Sequence, residues 1–251
     1  MVFLIIFSIF SLFRQYDEIE KFTSAEPKQI DISNFEDQEI QLNTLSRRLE
    51  KFRQDLVQGN PCTLELDAND INLAIAAFES LKDLRGKLHV QEIDSQNLSL
   101  EISFPLNGKP RMAKPGESGW IASDPRYLNA TLICRPALLS YEPVLKIDTI
   151  DVPGAVVPAE FIDHMSPYRI AEVYRENPTI GPAMKKLSRV EIRDQKLILM
   201  GNTGDPPADQ ISDQEVNRMS GRFFTVLGIA ASIFLLFIGT VIIIGLRAKR
   251  R

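Results

Sequence analysis

From Phe223 to Leu246 the chain reads FFTVLGIAASIFLLFIGTVIIIGL, 24 residues without a charge, and RAKRR follows at once. A helix rising ~1.5 Å per residue crosses ~30 Å of hydrocarbon with about 20 apolar residues. Residues 223–246 are therefore expected to span a bilayer, and everything before them to be held beside it. The flanking charges give the side. Arg247, Lys249, Arg250 and Arg251 crowd the far end of the run, whereas Arg218 and Arg222 are the only cations in the fifteen residues before it. Cationic excess marks the cytoplasmic end. Residues 247–251 are read as a basic cytoplasmic tail and the body of the chain as extracytoplasmic.

The opening agrees with that orientation. Residues 1–13, MVFLIIFSIFSLF, form an apolar run ending at Arg14. This is short for a span and suits a signal-peptide core or a retained signal anchor. It has neither a basic start nor a small-x-small cleavage pattern, so both versions stay open, and both export the middle of the chain. The competing expectation is a cytosolic protein inserted by its tail, with Met1 to Phe13 packed as a core strand.

Between Arg14 and Arg222 lie 25 Lys and Arg against 33 Asp and Glu, a formal charge of −8. That balance argues against nucleic acid, which needs a basic face. Two cysteines, Cys62 and Cys134, stand 72 residues apart in sequence. They either close one loop in an oxidising compartment or lie as two buried thiols on neighbouring strands. With only His89 and His164 beside them they do not compose a metal-ligand set. No cofactor is expected.

Residues 14–34 are polar and read as a linker. In residues 35–58 the side chains of Phe35, Leu42, Leu45, Leu49, Phe52 and Leu56 recur at helical spacing, the stripe of an amphipathic helix. It lies along the body or serves as a coiled-coil arm. Gly59-Asn60-Pro61 stops it, and residues 59–200 are expected to form one α+β domain. CTLEL reads as a strand. DANDINLAIAAFESLKDLRG reads as a helix capped by Asp67, with Asp70 in its first turn and Gly86 at its end. KLHVQEI and LSLEISF make a hairpin through DSQN.

From Pro105 to Pro125 the alternation fails, with four prolines and three glycines in the segment. So long a connection suggests function or disorder. Lys109, Arg111 and Lys114 beside Met112 and Trp120 suit contact with an anionic headgroup layer or a protein partner. The plainer expectation is a hairpin tip whose Trp120 folds back onto the core. RYLNATLIC and VLKIDTIDV are the next strands. PAEFIDHM is a short helix, Ser166-Pro167 opens another over SPYRIAEVYREN, and RVEI with KLILM closes the domain as a hairpin through Arg193-Asp194-Gln195. Residues 201–222 are a polar juxtamembrane linker.

Three short signatures sit in this order: Asp70-Ile71-Asn72 at a helix start, Tyr127-Leu128-Asn129 on a strand, and Pro153-Gly154 leading to Phe161. Over residues 62–200 the pattern resembles the YpmS-like family of bacterial membrane-anchored proteins. That family carries an N-terminal membrane segment, and this chain adds a strong C-terminal span. The resemblance implies a fold and a location rather than an activity.

Catalytic signatures are not apparent. There is no Gly-x-Ser-x-Gly turn, no P-loop, and His164 beside Ser166 is a coincidence of neighbours. The resulting expectation is an antiparallel sheet of six to seven strands packed on helices. The protein is read as a membrane-anchored cell-envelope protein with a non-catalytic extracytoplasmic domain. That domain holds a lipid or other apolar ligand between sheet and helix, or engages a protein partner. The alternative is a structural or assembly component, an envelope partner or homo-oligomer, acting through its membrane segments and amphipathic helix. An envelope hydrolase is the least favoured reading.

Overall fold

Period-two alternation builds the larger sheet. Along β3 (Leu98–Met112) the side chains of Leu98, Leu100 and Ile102 are buried, and along β4 (Ile121–Leu139) those of Leu128, Ala130, Leu132 and Cys134. With β2 (Leu88–Ile93) and β5 (Glu142–Asp151) they form a four-stranded antiparallel sheet in the order β2-β3-β4-β5. The computed structural model describes residues 16–32 and 36–201, all within one compact unit. The apolar opening at residues 1–13, nearly all of the 201–222 linker, the Phe223–Leu246 run and the basic tail lie outside the described residues. Among the described residues no helix is long and apolar enough to cross a membrane.

The fold is α+β with antiparallel strands, but the single sheet expected from the sequence is two. A second sheet of three strands has the order β1-β7-β6, with β1 at Cys62–Leu66, β6 at Leu187–Arg193 and β7 at Lys196–Gly201. The C-terminal hairpin takes β1 as its third strand, from Cys62↔Gly201 to Leu66↔Leu197, so neither end of it adds to the larger sheet. Each sheet has its own core. Leu100, Ile102, Leu128 and Leu132 centre the first; Leu56, Leu64, Leu187 and Val190 centre the second, together with Leu138 from the last turn of β4.

Helix α1 (Glu39–Gln58) spends its apolar stripe on the body, burying Leu45, Phe52 and Leu56, and ends at Gly59, whose φ of 82° suits glycine. Helix α2 (Ala68–Ala77) starts as expected. Asp67 accepts from the Asp70 N–H at 2.7 Å, and the Asp70 carboxylate reaches back to the Asp67 N–H. It stops nine residues before Gly86, because Phe78 turns extended and a 3-10 turn, Glu79–Leu84, follows. The Arg85 guanidinium then donates to the Ile75 carbonyl at 3.1 Å, satisfying an acceptor the shortened helix leaves open. Asn72 fixes α2 to the sheet: its buried amide accepts from the Val90 N–H and donates to the Val90 carbonyl, both at 2.8 Å.

After α3 (Ala159–Met165) the helix expected from Ser166-Pro167 does not form. The Ser166 hydroxyl accepts from the Ile147 N–H, and Tyr168 exchanges two backbone hydrogen bonds with Leu145, which commits this stretch to the edge of β5. Only a 3-10 turn, Glu172–Tyr174, and the one-turn α4 (Gly181–Met184) follow. Glu142, buried at the head of β5, receives Arg169 at 3.3 Å and Arg175, and the Arg175 hydrogen bond first of all draws its carboxyl below the usual range.

Asn72→Ala leaves the Val90 N–H and C=O buried without a partner. It is expected to lower unfolding free energy by ~2–4 kcal/mol, read as a reduced urea midpoint with unchanged slope. An unchanged midpoint would show that α2 is held by its apolar face alone.

Candidate functional site

The stretch where sequence alternation fails is a paired arm. β3 and β4 continue in register to Met112↔Ile121, although β2 stops pairing at Ile102 and β5 pairs only from Thr131. Beyond those points two strands project alone, closed by residues 113–120. The expectation of an unstructured connection from Pro105 to Pro125 is corrected accordingly, and the hairpin tip expected in its place is found.

The prolines are accommodated by edge geometry. Ser24 and Tyr127 exchange both backbone hydrogen bonds, at 2.9 and 2.8 Å, so the polar groups of Tyr127 face away from β3. Its partner Pro105 then sits in a pair that needs no cross-strand N–H. Pro125, two residues from Tyr127, has the same parity. A bulge between Asn107 and Pro110 brings Gly108 so close to β4 that a Cβ there would lie 2.3 Å from the Asp124 carbonyl oxygen.

Residues 16–32, expected to be linker, are a strap fastening the arm to the body. Phe22 and Ile30 are buried, and Phe22 meets Phe161 edge-on with ring centroids 4.8 Å apart. The Asn129 amide oxygen accepts from the Ser103 hydroxyl at 2.8 Å and the Lys28 N–H at 3.0 Å, while its NH2 donates to the Glu26 carbonyl at 3.0 Å. Arg126 donates to the Thr23 hydroxyl at 3.1 Å and the Glu20 carbonyl at 3.0 Å, and Lys109 pairs with Asp17 at 2.9 Å.

At the tip, Arg111 is a staple. It forks onto both oxygens of Glu117 at 2.8 Å and reaches Asp124 at 2.6 Å. Glu117 in turn accepts from the Lys114 N–H at 2.7 Å, and Ala113 N–H donates to the Trp120 carbonyl at 3.1 Å. Arg111, then the Lys114 N–H, lower the Glu117 carboxyl to about 2. The same guanidinium lowers Asp124, and the two carboxylates raise Arg111. Three apolar side chains crown this ordered turn in solvent: Trp120 at 87 % exposure, Met112 at 75 % and Ile121 at 71 %. The exposure of Trp120 corrects the expectation that it folds back onto the core.

Of the sequence candidates, Lys109, Arg111, Met112, Lys114 and Trp120 thus share one arm, but Lys109 and Arg111 pair with carboxylates and the charge of Lys114 is felt by Glu117 and Asp124, so the three do not stand as a basic patch. Ile121, Glu117, Asp124 and Asp17 were not singled out from sequence; the hairpin register, which sets Ile121 opposite Met112, is what joins the first of them to the patch. Cys62 and Cys134 are free thiols in different sheets and different cores. Burial pushes the Cys134 thiol up to about 12, beyond ordinary reactivity, and raises Cys62 as well. The topology-determining cations at 247–251 lie outside the described residues.

Elsewhere, a cleft of ≈ 680 Å³ runs between α1 and β1, but its charges are paired off, Arg48 with Asp70 at 3.0 Å and Lys196 with Glu65 at 3.0 Å. The His164 ring contacts the Glu160 carbonyl of its own helix, and His89 lies 3.5 Å from the Asn72 amide. Among the described residues no group of three or more His, Cys, Asp or Glu is placed to hold a metal ion.

A carboxylate whose folded pKa is depressed stabilises above its unfolded value and loses that contribution as pH falls toward the folded one. The staple is therefore expected to be intact above pH about 4.5 and to release as pH drops toward about 2. Fluorescence anisotropy of Trp120 should fall across that window, and Arg111→Ala should give the low value already at pH 7 with unchanged circular dichroism. Equal anisotropy in the two proteins at pH 7 would remove the staple. Compared with family models, curated proteins and solved structures, the chain matches none.

Proposed function

We propose that this is a membrane-anchored cell-envelope protein whose extracytoplasmic body is non-catalytic and makes its contact through the β3–β4 arm. The observation that carries the reading is the exposure of Met112, Trp120 and Ile121 together on a tip held in shape by Arg111. Three large apolar side chains left in solvent at one projecting end make a contact surface in need of a partner. The charge-free run at 223–246 with its basic tail supports the anchor and the orientation.

The geometry favours surface contact over an enclosed apolar ligand. Where α2 meets the sheet, the cavity beside Ile75, Ala76 and Leu88 holds ≈ 10 Å³. A lipid chain needs a pocket of several hundred cubic ångströms. The assembly reading through the amphipathic helix is weakened in the same way, since Leu45, Phe52 and Leu56 are already buried in the body.

Topology tests the anchor. A fluorescent protein fused after Arg251 is expected to fluoresce, and alkaline phosphatase fused at the same point to be inactive, as for a cytoplasmic C-terminus. Active phosphatase there would overturn the orientation and the proposed role with it.

A further inference from the structure

We infer that the arm tip is a charge-neutral apolar wedge that inserts into the lipid surface itself. The inference rests on the anchored reading above and specifies what the arm touches. Charge, area and linkage select a bilayer over a protein partner.

The first is charge. In the outer part of the arm, beyond Arg126, the cations Lys109, Arg111 and Lys114 are matched in number by Asp17, Glu117 and Asp124, with direct pairs for Lys109 and Arg111. Glu117 and Asp124 both feel Lys114 as well. The tip thus offers no net charge to steer an acidic or basic partner, and none to make binding depend on anionic lipid. This reverses the expectation from the cation count alone.

The second is area. Met112, Trp120 and Ile121 together offer on the order of 400–500 Å², counting ~150–250 Å² for the aromatic ring. A specific protein interface needs about 800 Å² from each side, a little under half of it polar, and the point of the ribbon would have to supply that polar share from charges already paired with one another. A fluid layer asks for no complementary pocket, and a tryptophan at the end of a convex ribbon suits the headgroup boundary, where its ring is apolar and its N–H can stay wet.

The third is linkage. A chain already anchored through residues 223–246 presents its tip at high effective concentration, so a contact too weak to recruit a free protein still populates the inserted state. The staple fixes the turn that carries the three side chains before insertion, which lowers the entropy lost on contact.

Trp120 is the only tryptophan in the chain, so it reports the tip without mutation. The full-length protein is reconstituted in phosphatidylcholine vesicles, with and without phosphatidylglycerol, and floated on a density gradient. The floated fraction is expected to show Trp120 emission shifted to the blue of the detergent-free unfolded chain, quenching by lipids brominated near the headgroup end of the acyl chain, and loss of iodide quenching, to the same extent in both lipid mixtures. Met112→Ser with Ile121→Ser should reduce the lipid quenching at least twofold while the protein still floats. Floated protein whose Trp120 stays open to iodide overturns the wedge and leaves the anchor standing. Quenching that appears only with phosphatidylglycerol overturns its neutral character. Protein that fails to float overturns the anchored reading and the wedge together.

Discussion

One strand carries the described structure. β4 spans Ile121–Leu139, 19 residues, and serves in turn as half of the arm, as the centre of the first core through Leu128, Ala130, Leu132 and Cys134, and as part of the second core through Leu138. Extended chain rises ~3.3 Å per residue, so these duties are spread over about 60 Å of continuous backbone. The consequence is mechanical. Because the tip and both cores share a strand, the ladder that begins in the core runs on without a break in the chain to the side chains at the tip. The strap adds a second restraint at the arm's base, where Asn129, Arg126 and Lys109 tie residues 17–28 to the two strands.

The residues that carry the resemblance to the YpmS-like pattern turn out to be fastenings of this frame. Asp70 completes the box at the start of α2 and pairs with Arg48; Asn72 occupies both backbone groups of Val90; Asn129 joins Ser103 to the strap. A side-chain amide is suited to such places because it donates and accepts at once, and a buried backbone pair needs both. These positions therefore speak for the shape of the domain. The contact proposed for the arm rests on Met112, Trp120 and Ile121, which belong to none of the three signatures.

What could be read in the sequence was local. The cap at Asp67, the stop at Gly59, the alternation from Leu98 to Ile102 and the last hairpin each depend on residues within a few positions of one another, and each is found where the pattern placed it. The failures depend on distant partners. Nothing near Ser166 announces that Leu145 will claim Tyr168, and the strap hides because Phe22 and Ile30 stand alone among polar neighbours, with no period to betray them. Strand order fails for the same reason: whether seven strands make one sheet or two is decided by β1 choosing β7 across more than a hundred residues. The arm misled in a different way. Proline is a reliable sign against a central strand and a poor one against an edge strand, and both strands of the arm are edges.

Exposed strand edges invite pairing with other chains, and proteins blunt them with proline, charge and bulges. Here the edges carry Pro105 and Pro125, the Gly108 bulge and the strap at Ser24, so strand addition along the sides is discouraged. The end carries no such guard. Its backbone is closed by the Ala113–Trp120 hydrogen bond and its charges by the Arg111 staple, yet its largest side chains are left bare. An arm defended along its length and apolar at its point directs contact to the point, and disfavours recognition through the backbone. A surface able to receive three side chains without offering hydrogen bonds in return is what such a point fits, and a lipid layer meets that requirement more simply than a second protein does.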